Sequence, residues 1–359
     1  MRLKAIVAGA TGVVGRRLAE HLVSTGDWDV VGLARRTPPS AAYPTIAVDL
    51  TSAGDCREKL GGLRDITHIL YAGRYTHTTQ PEPIEINLAM MTNLIEALEP
   101  ANRASLRHIH LVQGSKWYGS TTGPYKTPAR EDDPRMDAGH TFYYAQQDWL
   151  EARQRGAAWT WSASRPHAVV DRTTGIARSL AILISMYAAL CKEEGEPLWF
   201  PGTEGNYRAL YQCTDARLLA KAIAWMSTEP RCGNHAFNII NGDYIRWMNL
   251  WPVFAEYFGM DVGPVRTQRL GETMPPKKAV WERIVRKHGL RAPPYEEAVL
   301  WPYGDFVFHP DWDIMSDTIK ARQLGFHEVR DTQTMFIELF NLYRRENIIP
   351  AERSSGEKQ

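Results

Sequence analysis

The chain has 359 residues, 44% of them hydrophobic and 23% charged, which is enough for one large or two ordinary globular domains. Its 42 Lys and Arg residues balance 41 Asp and Glu residues, so nucleic acid is a poor partner, because binding a phosphate backbone needs a surplus of positive charge. Aromatic residues are abundant, with 12 Trp, 15 Tyr and 10 Phe.

Residues 1–166 alternate between short apolar strands and helical patterns. Strands over residues 3–8 and 29–34 flank a helix over residues 16–24, an arrangement typical of parallel strands with a right-handed crossover. Further strands are predicted over residues 45–48, 68–72, 107–113 and 159–165, and further helices over residues 86–98 and 143–155. The pattern predicts an α/β fold with a Rossmann-type, doubly wound parallel sheet.

The rhythm changes after residue 166. Longer helical patterns cover residues 176–192, 216–226 and 247–258. We therefore expect residues 167–359 to form a smaller, mixed and largely helical domain that binds substrate. Two extended segments, 209–213 and 236–240, are candidates to return as strands of the main sheet.

The cysteines and the N-terminal sequence predict a cytoplasmic protein. Cys56, Cys191, Cys213 and Cys232 are far apart and lack metal-ligand spacing, so neither a disulfide framework nor a metal site is predicted. The first residues lack the tripartite pattern of a signal peptide. The longest apolar stretch, of about 12 residues, is too short to span a bilayer.

A glycine motif follows the first predicted strand. Its residues are Gly9, Ala10, Thr11, Gly12, Val13, Val14 and Gly15. Glycines at this junction let the backbone turn tightly and approach a pyrophosphate, which the N-terminus of the following helix stabilises. A glycine turn without a ligand is the alternative, but the strand–turn–helix context favours a dinucleotide site.

The spacing of these glycines resembles the extended short-chain dehydrogenase/reductase superfamily. At the end of the second strand the chain carries Arg35 and Arg36 in place of the acidic residue of NAD-dependent members. Guanidinium groups pair well with a 2′-phosphate, which favours NADPH over NADH, and a solvated basic pair is the alternative. The resemblance implies further cofactor contacts from Asp49, Leu50, Tyr71, Ala72, Gly73, Gln113, Pro166 and Val169.

The catalytic Tyr-x-x-x-Lys motif of the superfamily is absent, because no lysine has a tyrosine four positions before it. Two segments instead resemble the progesterone 5β-reductase/iridoid synthase family: Gly114-Ser-Lys-Trp-Tyr118 and Phe142-Tyr-Tyr-Ala-Gln-Gln-Asp148. The resemblance implies Lys116 and Tyr144 as catalytic residues. Tyr144 is preferred to Tyr143 because it alone has an aspartate, Asp148, four residues later.

This resemblance implies an NADPH-dependent reductase of the C=C bond of an α,β-unsaturated carbonyl compound. Hydride addition to the β-carbon leaves negative charge on the carbonyl oxygen, which Tyr144 would stabilise with Lys116 supplying positive charge. The sequence departs from the plant members, which read Gly-Arg-Lys-His-Tyr in the first segment and Gly-Asn-Ile where this chain has His167-Ala-Val. His167 is therefore a candidate for substrate contact.

Other functions stay open at this stage. A ketoreductase acting at C=O is one alternative, and a catalytically silent NADP-binding regulator is another. The expected substrate is a small hydrophobic enone of steroid, terpenoid or polyketide type, with the aromatic excess lining an apolar enclosure. The superfamily resemblance also allows a homodimer.

Overall fold

A computed structural model describes residues 2–38, 41–76, 83–137, 141–173 and 178–351. The strands are β1 (Leu3–Ala8), β2 (Trp28–Ala34), β3 (Thr45–Ala47), β4 (His68–Tyr71), β5 (His108–Val112), β6 (Thr160–Arg165), β7 (Val169–Val170), β8 (Leu198–Phe200), β9 (Leu210–Tyr211), β10 (Thr214–Asp215), β11 (His235–Asn238), β12 (Ile245–Arg246) and β13 (Val262–Val265).

The α-helices are α1 (Val13–Thr25), α2 (Ala53–Leu60), α3 (Ile84–Asn102), α4 (Phe142–Gln154), α5 (Leu180–Glu193), α6 (Glu204–Arg208), α7 (Ala216–Thr228), α8 (Trp247–Phe258), α9 (Leu270–Thr273), α10 (Lys278–His288), α11 (Tyr295–Ala298), α12 (Trp301–Phe308), α13 (Ile319–Gln323) and α14 (Thr332–Arg345). Short 3₁₀ turns cover Ser115–Tyr118, Pro230–Cys232 and Pro275–Lys277. No helix in the described ranges is long and apolar enough to cross a membrane.

The chain divides into two compact units. The first contains residues 1–167, 216–240 and 316–328, and the second contains residues 168–215, 241–315 and 329–359. The first unit carries a seven-stranded sheet in the order β11-β6-β5-β4-β1-β2-β3, and every neighbouring pair is parallel. This sheet confirms the predicted Rossmann-type fold.

The two segments expected to return to the main sheet behave differently. Strand β11 does so and pairs with β6. Strand β9 instead pairs antiparallel with β12 in a separate two-stranded sheet. The helix predicted over residues 176–192 is observed as α5 from Leu180, and positions 176–177 lie outside the described residues. Helix α2 was not predicted, because its eight residues are mostly polar.

The two faces of the large sheet differ in chemistry. Alternate residues of β4, β5 and β6 point to one face, where they form an apolar core with residues of α2, α3 and α4. That core includes Ile69, Ile109, Leu111, Trp161 and Ala163.

The opposite face carries a buried row of histidine and hydroxyl groups. His108 is hydrogen-bonded to Ser162 Oγ at 2.7 Å, and the same hydroxyl lies 2.7 Å from Nδ1 of His110. Nε2 of His110 lies 3.1 Å from Ser164 Oγ. His68 continues the row at β4, with Nδ1 2.8 Å from Thr67 Oγ1 and Nε2 3.0 Å from the Ser227 carbonyl in α7.

Aromatic side chains fill the core of the second unit. Trp247, Trp251 and Phe200 are fully buried, and the rings of Phe200 and Trp251 meet edge to face at 5.1 Å. Phe308 closes the cluster, with its ring centroid 5.2 Å from that of Trp247. These aromatic side chains therefore build the core of the second unit.

The histidine row predicts acid-sensitive stability. Burial lowers the pKa of His68 to about 4 and that of His110 to about 3, from a usual 6.5. Because the folded pKa lies below the unfolded one, each histidine contributes stability above pH 6.5, and that stability is lost as the pH falls toward 4. We expect a loss of up to about 3 kcal/mol for His68 by pH 4.

Urea unfolding at intervals between pH 7.5 and pH 4 measures this loss. The variant His110→Gln keeps polar groups facing both serines but takes up no proton, so its unfolding free energy should fall less steeply with acid than that of the parent. His327→Gln replaces an exposed histidine of the same unit and is the control. Equal slopes for the parent and His110→Gln would contradict the prediction.

Candidate active site

The loop between β1 and α1 depends on two glycines. Gly9 has a φ of 75°, and a β-carbon built there would lie 2.7 Å from the Ala72 carbonyl oxygen, so a side chain is excluded twice over. A β-carbon on Gly15 would lie 2.2 Å from the Gly9 carbonyl oxygen. The N–H groups of Gly9 and Ala10 both donate to the carbonyl of Leu33, which ties the loop to β2.

The loop leaves the N-terminus of α1 open to a ligand. Gly12 caps the helix without any side-chain hydrogen bond, and the first turn contains no acidic residue. Thr11 and Gly12 are exposed, whereas Val13 and Val14 are half-buried. The first backbone N–H groups of a helix lack intrahelical acceptors, so this arrangement fits a pyrophosphate.

Tyr43 supports this loop and was missed by sequence reasoning. Its hydroxyl donates to the Ala10 carbonyl at 3.0 Å. A β-carbon on Gly32 would lie 2.8 Å from the Tyr43 ring, so glycine in β2 leaves room for the tyrosine. No local motif marks the contact between Tyr43 and Ala10, because Ala10 precedes β2 in the sequence and Tyr43 follows it.

The residues after β2 and β3 divide into exposed charges and a buried leucine. Arg35 and Arg36 follow directly after β2, and both are exposed. Within the described residues neither guanidinium forms an ion pair or a side-chain hydrogen bond. Asp49 is exposed, and its carboxylate accepts from the N–H and the hydroxyl of Thr51, whereas Leu50 packs in the apolar core.

The end of β4 abuts the glycine loop. The Ala72 N–H donates to the Ala8 carbonyl at 3.1 Å, and Gly73 follows. Tyr71 itself packs in the apolar core with 1% of its surface exposed, and within the described residues its hydroxyl has no partner. Its side chain therefore belongs to the core, and Ala72 and Gly73 form the part of this segment next to the loop.

The 3₁₀ turn after β5 carries Lys116. Lys116 is half-buried, and Gly119, with a φ of 81°, ends the turn. The ring of Trp117 contacts two guanidinium groups: Arg165 Cζ lies 3.7 Å and Arg135 Cζ 4.8 Å from its centroid. Such cation–π contacts fix the turn that positions Lys116.

The Tyr144 hydroxyl is committed to the backbone of this region. It donates to the Trp117 carbonyl at 2.5 Å and accepts from the Met136 N–H at 2.9 Å. Asp148, the residue that selected Tyr144 in the sequence, forms an ion pair with Arg135 at 2.6 Å. The Tyr-x-x-x-Asp spacing therefore places the Tyr144 hydroxyl on the backbone of this region and the Asp148 carboxylate beside Arg135.

The neighbouring Tyr143 points to a different place. A β-carbon on Gly114 would lie 3.3 Å from the Tyr143 hydroxyl and 3.3 Å from the Pro166 carbonyl oxygen. The hydroxyl thus lies where β5 and β6 end, next to the turn that carries Lys116. Glycine at position 114 leaves room for this hydroxyl, and it is the only sign of the contact in the sequence.

Three other predicted cofactor residues have different surroundings. The Gln113 side chain is buried, donates to Gln147 at 3.0 Å and accepts from Nε of Arg165 at 3.1 Å. Pro166 is buried, and its carbonyl accepts from the Ser115 N–H at 3.0 Å. Val169 lies on β7 in the second unit, where it pairs with β10.

Comparison with known proteins gives a family match over most of the chain. A family model described as a PRISE-like Rossmann-fold domain matches residues 48–350. An (S)-8-oxocitronellyl enol synthase from Nepeta racemosa is 35% identical over 365 residues, which cover 96% of this chain and 93% of the relative. A 3-oxo-Δ(4,5)-steroid 5β-reductase from Arabidopsis thaliana is 34% identical over 363 residues, which cover 96% and 93%.

Solved structures share the fold at low sequence identity. A short-chain dehydrogenase/reductase superfamily protein from Agrobacterium tumefaciens with bound NAD superposes with a TM-score of 0.67 at 16% identity, covering 96% of this chain and 97% of that one. A UDP-glucose 4-epimerase from Thermus thermophilus in complex with NAD gives a TM-score of 0.63 at 15% identity, covering 94% and 99%.

Proposed function

We propose that this chain, which belongs to the PRISE-like family of Rossmann-fold proteins, reduces the C=C bond of α,β-unsaturated carbonyl compounds with NADPH. Family membership confirms the recognition made from the sequence, and with it the oxidoreductase class. The observation that carries the proposal is the approach of the Tyr143 hydroxyl to Gly114, two residues before Lys116.

The printed names of the relatives agree with addition of hydride to a conjugated system. A 3-oxo-Δ(4,5)-steroid is an enone, and a 5β-reductase acts on the β-carbon of that enone. An enol synthase forms an enol, which is the product when hydride reaches the β-carbon and the proton goes to oxygen. One chemical step therefore accounts for both names, and we extend it to this chain.

The proposed chemistry assigns separate tasks to the two residues. Bound NADPH would supply the hydride. Tyr143 Oη donates a hydrogen bond to the substrate carbonyl oxygen, where negative charge develops as the β-carbon is reduced. Lys116 supplies positive charge nearby, which lowers the pKa of the phenol and makes its O–H a stronger hydrogen-bond donor. The α-carbon takes its proton from water.

We assign the catalytic role to the hydroxyl of Tyr143 instead of that of Tyr144, because of the hydrogen bonds that Tyr144 forms. The Tyr144 hydroxyl both donates to and accepts from the backbone, and burial raises its pKa. A group committed in this way would have to break two bonds to reach a substrate, at about 1 kcal/mol each. The Tyr143 hydroxyl lies beside Gly114, at the carboxyl end of β5 and next to the turn that carries Lys116.

The choice of NADPH depends on Arg35 and Arg36. Both are exposed at the end of β2, and within the described part of the chain neither has an acidic partner to compete with a ligand. An acidic side chain at this place would repel a 2′-phosphate, whereas two guanidinium groups bind it through charge-assisted hydrogen bonds.

The function is tested by following NADPH oxidation against a panel of cyclic and acyclic enones and of saturated ketones. We expect turnover with enones, and product analysis should show a saturated carbonyl compound or its enol. Saturated ketones should react at least about tenfold more slowly, a difference of about 1.4 kcal/mol in activation free energy. Alcohol products would support the ketoreductase alternative, and tight NADPH binding without turnover would support a regulator.

The adjacent tyrosines form a matched pair for the catalytic assignment. Tyr143→Phe should lower kcat by about 10²-fold or more, as expected for loss of an oxyanion donor, while the Kd for NADPH changes little. Tyr144→Phe should lower the unfolding free energy by about 1–3 kcal/mol and retain most of kcat, because it leaves the Met136 N–H and the Trp117 carbonyl without their partner. The reverse result would restore the assignment made from the sequence.

Fluorescence titration with NADPH and NADH tests the proposed specificity. Removing both guanidinium groups in Arg35→Ala/Arg36→Ala should weaken NADPH binding by about tenfold or more and leave NADH binding nearly unchanged. Arg2→Ala is the control, since Arg2 is exposed and directly precedes β1, at the amino ends of the strands and not at their carboxyl ends. If the binding of NADPH and that of NADH weaken equally, the result would argue against recognition of a 2′-phosphate.

A further inference from the structure

Two residues that follow neighbouring strands contact one another in the first unit. Ser115 lies in the 3₁₀ turn after β5, directly before Lys116, and His167 lies two residues after the end of β6. In the structure Ser115 Oγ lies 2.5 Å from His167 Nδ1. The contact spans 52 residues of sequence, so neither segment alone indicates it.

The contact is part of a buried anchor at both ends of the Lys116 turn. Ser115 Oγ also lies 3.0 Å from Ser120 Oγ, and the Ser115 N–H donates to the Pro166 carbonyl at 3.0 Å. The side chains of Ser115, Ser120 and His167 belong to residues with 4%, 1% and 7% of their surface exposed. Lys116 lies between the two anchored serines.

The anchor is uncharged. Burial lowers the pKa of His167 to about 3, so the imidazole is neutral at physiological pH. A neutral imidazole adds no positive charge beside Lys116, whereas a charged one would disfavour the charged form of the lysine.

The backbone next to His167 is also constrained. Ala168 has a φ of 40°, a left-handed conformation that is unfavourable for a residue with a β-carbon. Such strain persists where surrounding contacts hold the chain, and it clusters at functional sites. The hydrogen bond of His167 is a contact of this kind immediately before the strained residue.

We infer that His167, through its hydrogen bond to Ser115, is a positioning residue that holds the Lys116 turn in the geometry required for the reaction. The inference rests on the proposed role of Lys116. His167 itself contacts the serine, so its effect on the reaction is transmitted through the turn.

A cycle of variants in the full-length protein separates this role from a general structural one. The single variants are His167→Ala, Ser115→Ala and Lys116→Met, and each pair is also combined. Steady-state kinetics on an enone from the panel gives kcat and KM, and fluorescence titration gives the Kd for NADPH. The titration is informative even for variants without turnover.

We expect His167→Ala and Ser115→Ala each to lower kcat by about tenfold with a smaller change in KM, as when a positioning contact is lost. The double variant should lose no more than either single variant, because both remove the same hydrogen bond. In the Lys116→Met background His167→Ala should have almost no further effect on kcat or on the Kd for NADPH. If His167→Ala lowers kcat by the same factor in the Lys116→Met background as in the parent protein, the inference is overturned.

Two further variants guard against misfolding. In His167→Asn an amide atom replaces Nδ1 near the serine hydroxyl, so this variant should recover most of the kcat lost in His167→Ala. His68→Ala removes another buried histidine with two hydrogen bonds, located at the start of β4. It should reduce the unfolding free energy without changing kcat, and an equal loss of kcat in His68→Ala would reduce His167 to a structural role.

The outcome also distinguishes the two levels of the proposal. If the parent protein reduces no enone, the proposed function fails, while the NADPH titrations still report whether His167 and Lys116 are coupled. If the parent is active and the variants act independently, the function stands and the positioning role fails.

Discussion

The common direction of the seven strands is the constraint on which the candidate site depends. Since every pair in the sheet is parallel, all carboxyl ends lie along one edge, and the segments that follow β1, β2, β4, β5 and β6 emerge there. Parallel sheets of this kind bind ligands outside the carboxyl ends of their strands. Residues as distant in sequence as Gly9, Arg35 and Gly114 are placed along that edge by strand direction alone.

Much of the first unit could be predicted because its signals are local. Strand β1 and the glycine loop follow from an apolar run and from glycine spacing. In the second unit, α8 was predicted over the residues where it is observed. Helix α2 could not be predicted, since its eight residues include five charged or glycine positions and only two buried ones, Cys56 and Leu60. The pairing of β9 with β12 depends on contacts within the second unit that no local pattern encodes.

The two adjacent tyrosines have different surroundings, which spacing alone does not reveal. Consecutive residues of a helix are separated by about 100° around its axis, so Tyr143 and Tyr144 must face different surroundings. The sequence offered Asp148 as the distinguishing feature, but its carboxylate pairs with Arg135. The contacts that distinguish the two hydroxyls, the Trp117 carbonyl beside Tyr144 and Gly114 beside Tyr143, come from segments more than 20 residues away in sequence.

The turn that carries Lys116 is held from two sides by different kinds of interaction. On one side, Trp117 contacts two guanidinium groups, and its carbonyl accepts from Tyr144. On the other side, Ser115 is hydrogen-bonded to the neutral imidazole of His167 and to the Pro166 carbonyl. The charged contacts fall on Trp117 and the uncharged ones on Ser115, the two neighbours of the lysine.

This division has a physical consequence for the proposed reaction. A cation that must act on a developing oxyanion loses effect if its position fluctuates, because the interaction weakens with distance and with intervening water. Rigid neighbours therefore contribute to catalysis without contacting the substrate. In this chain the hydrogen bond between Ser115 and His167 and the cation–π contacts of Trp117 supply that rigidity.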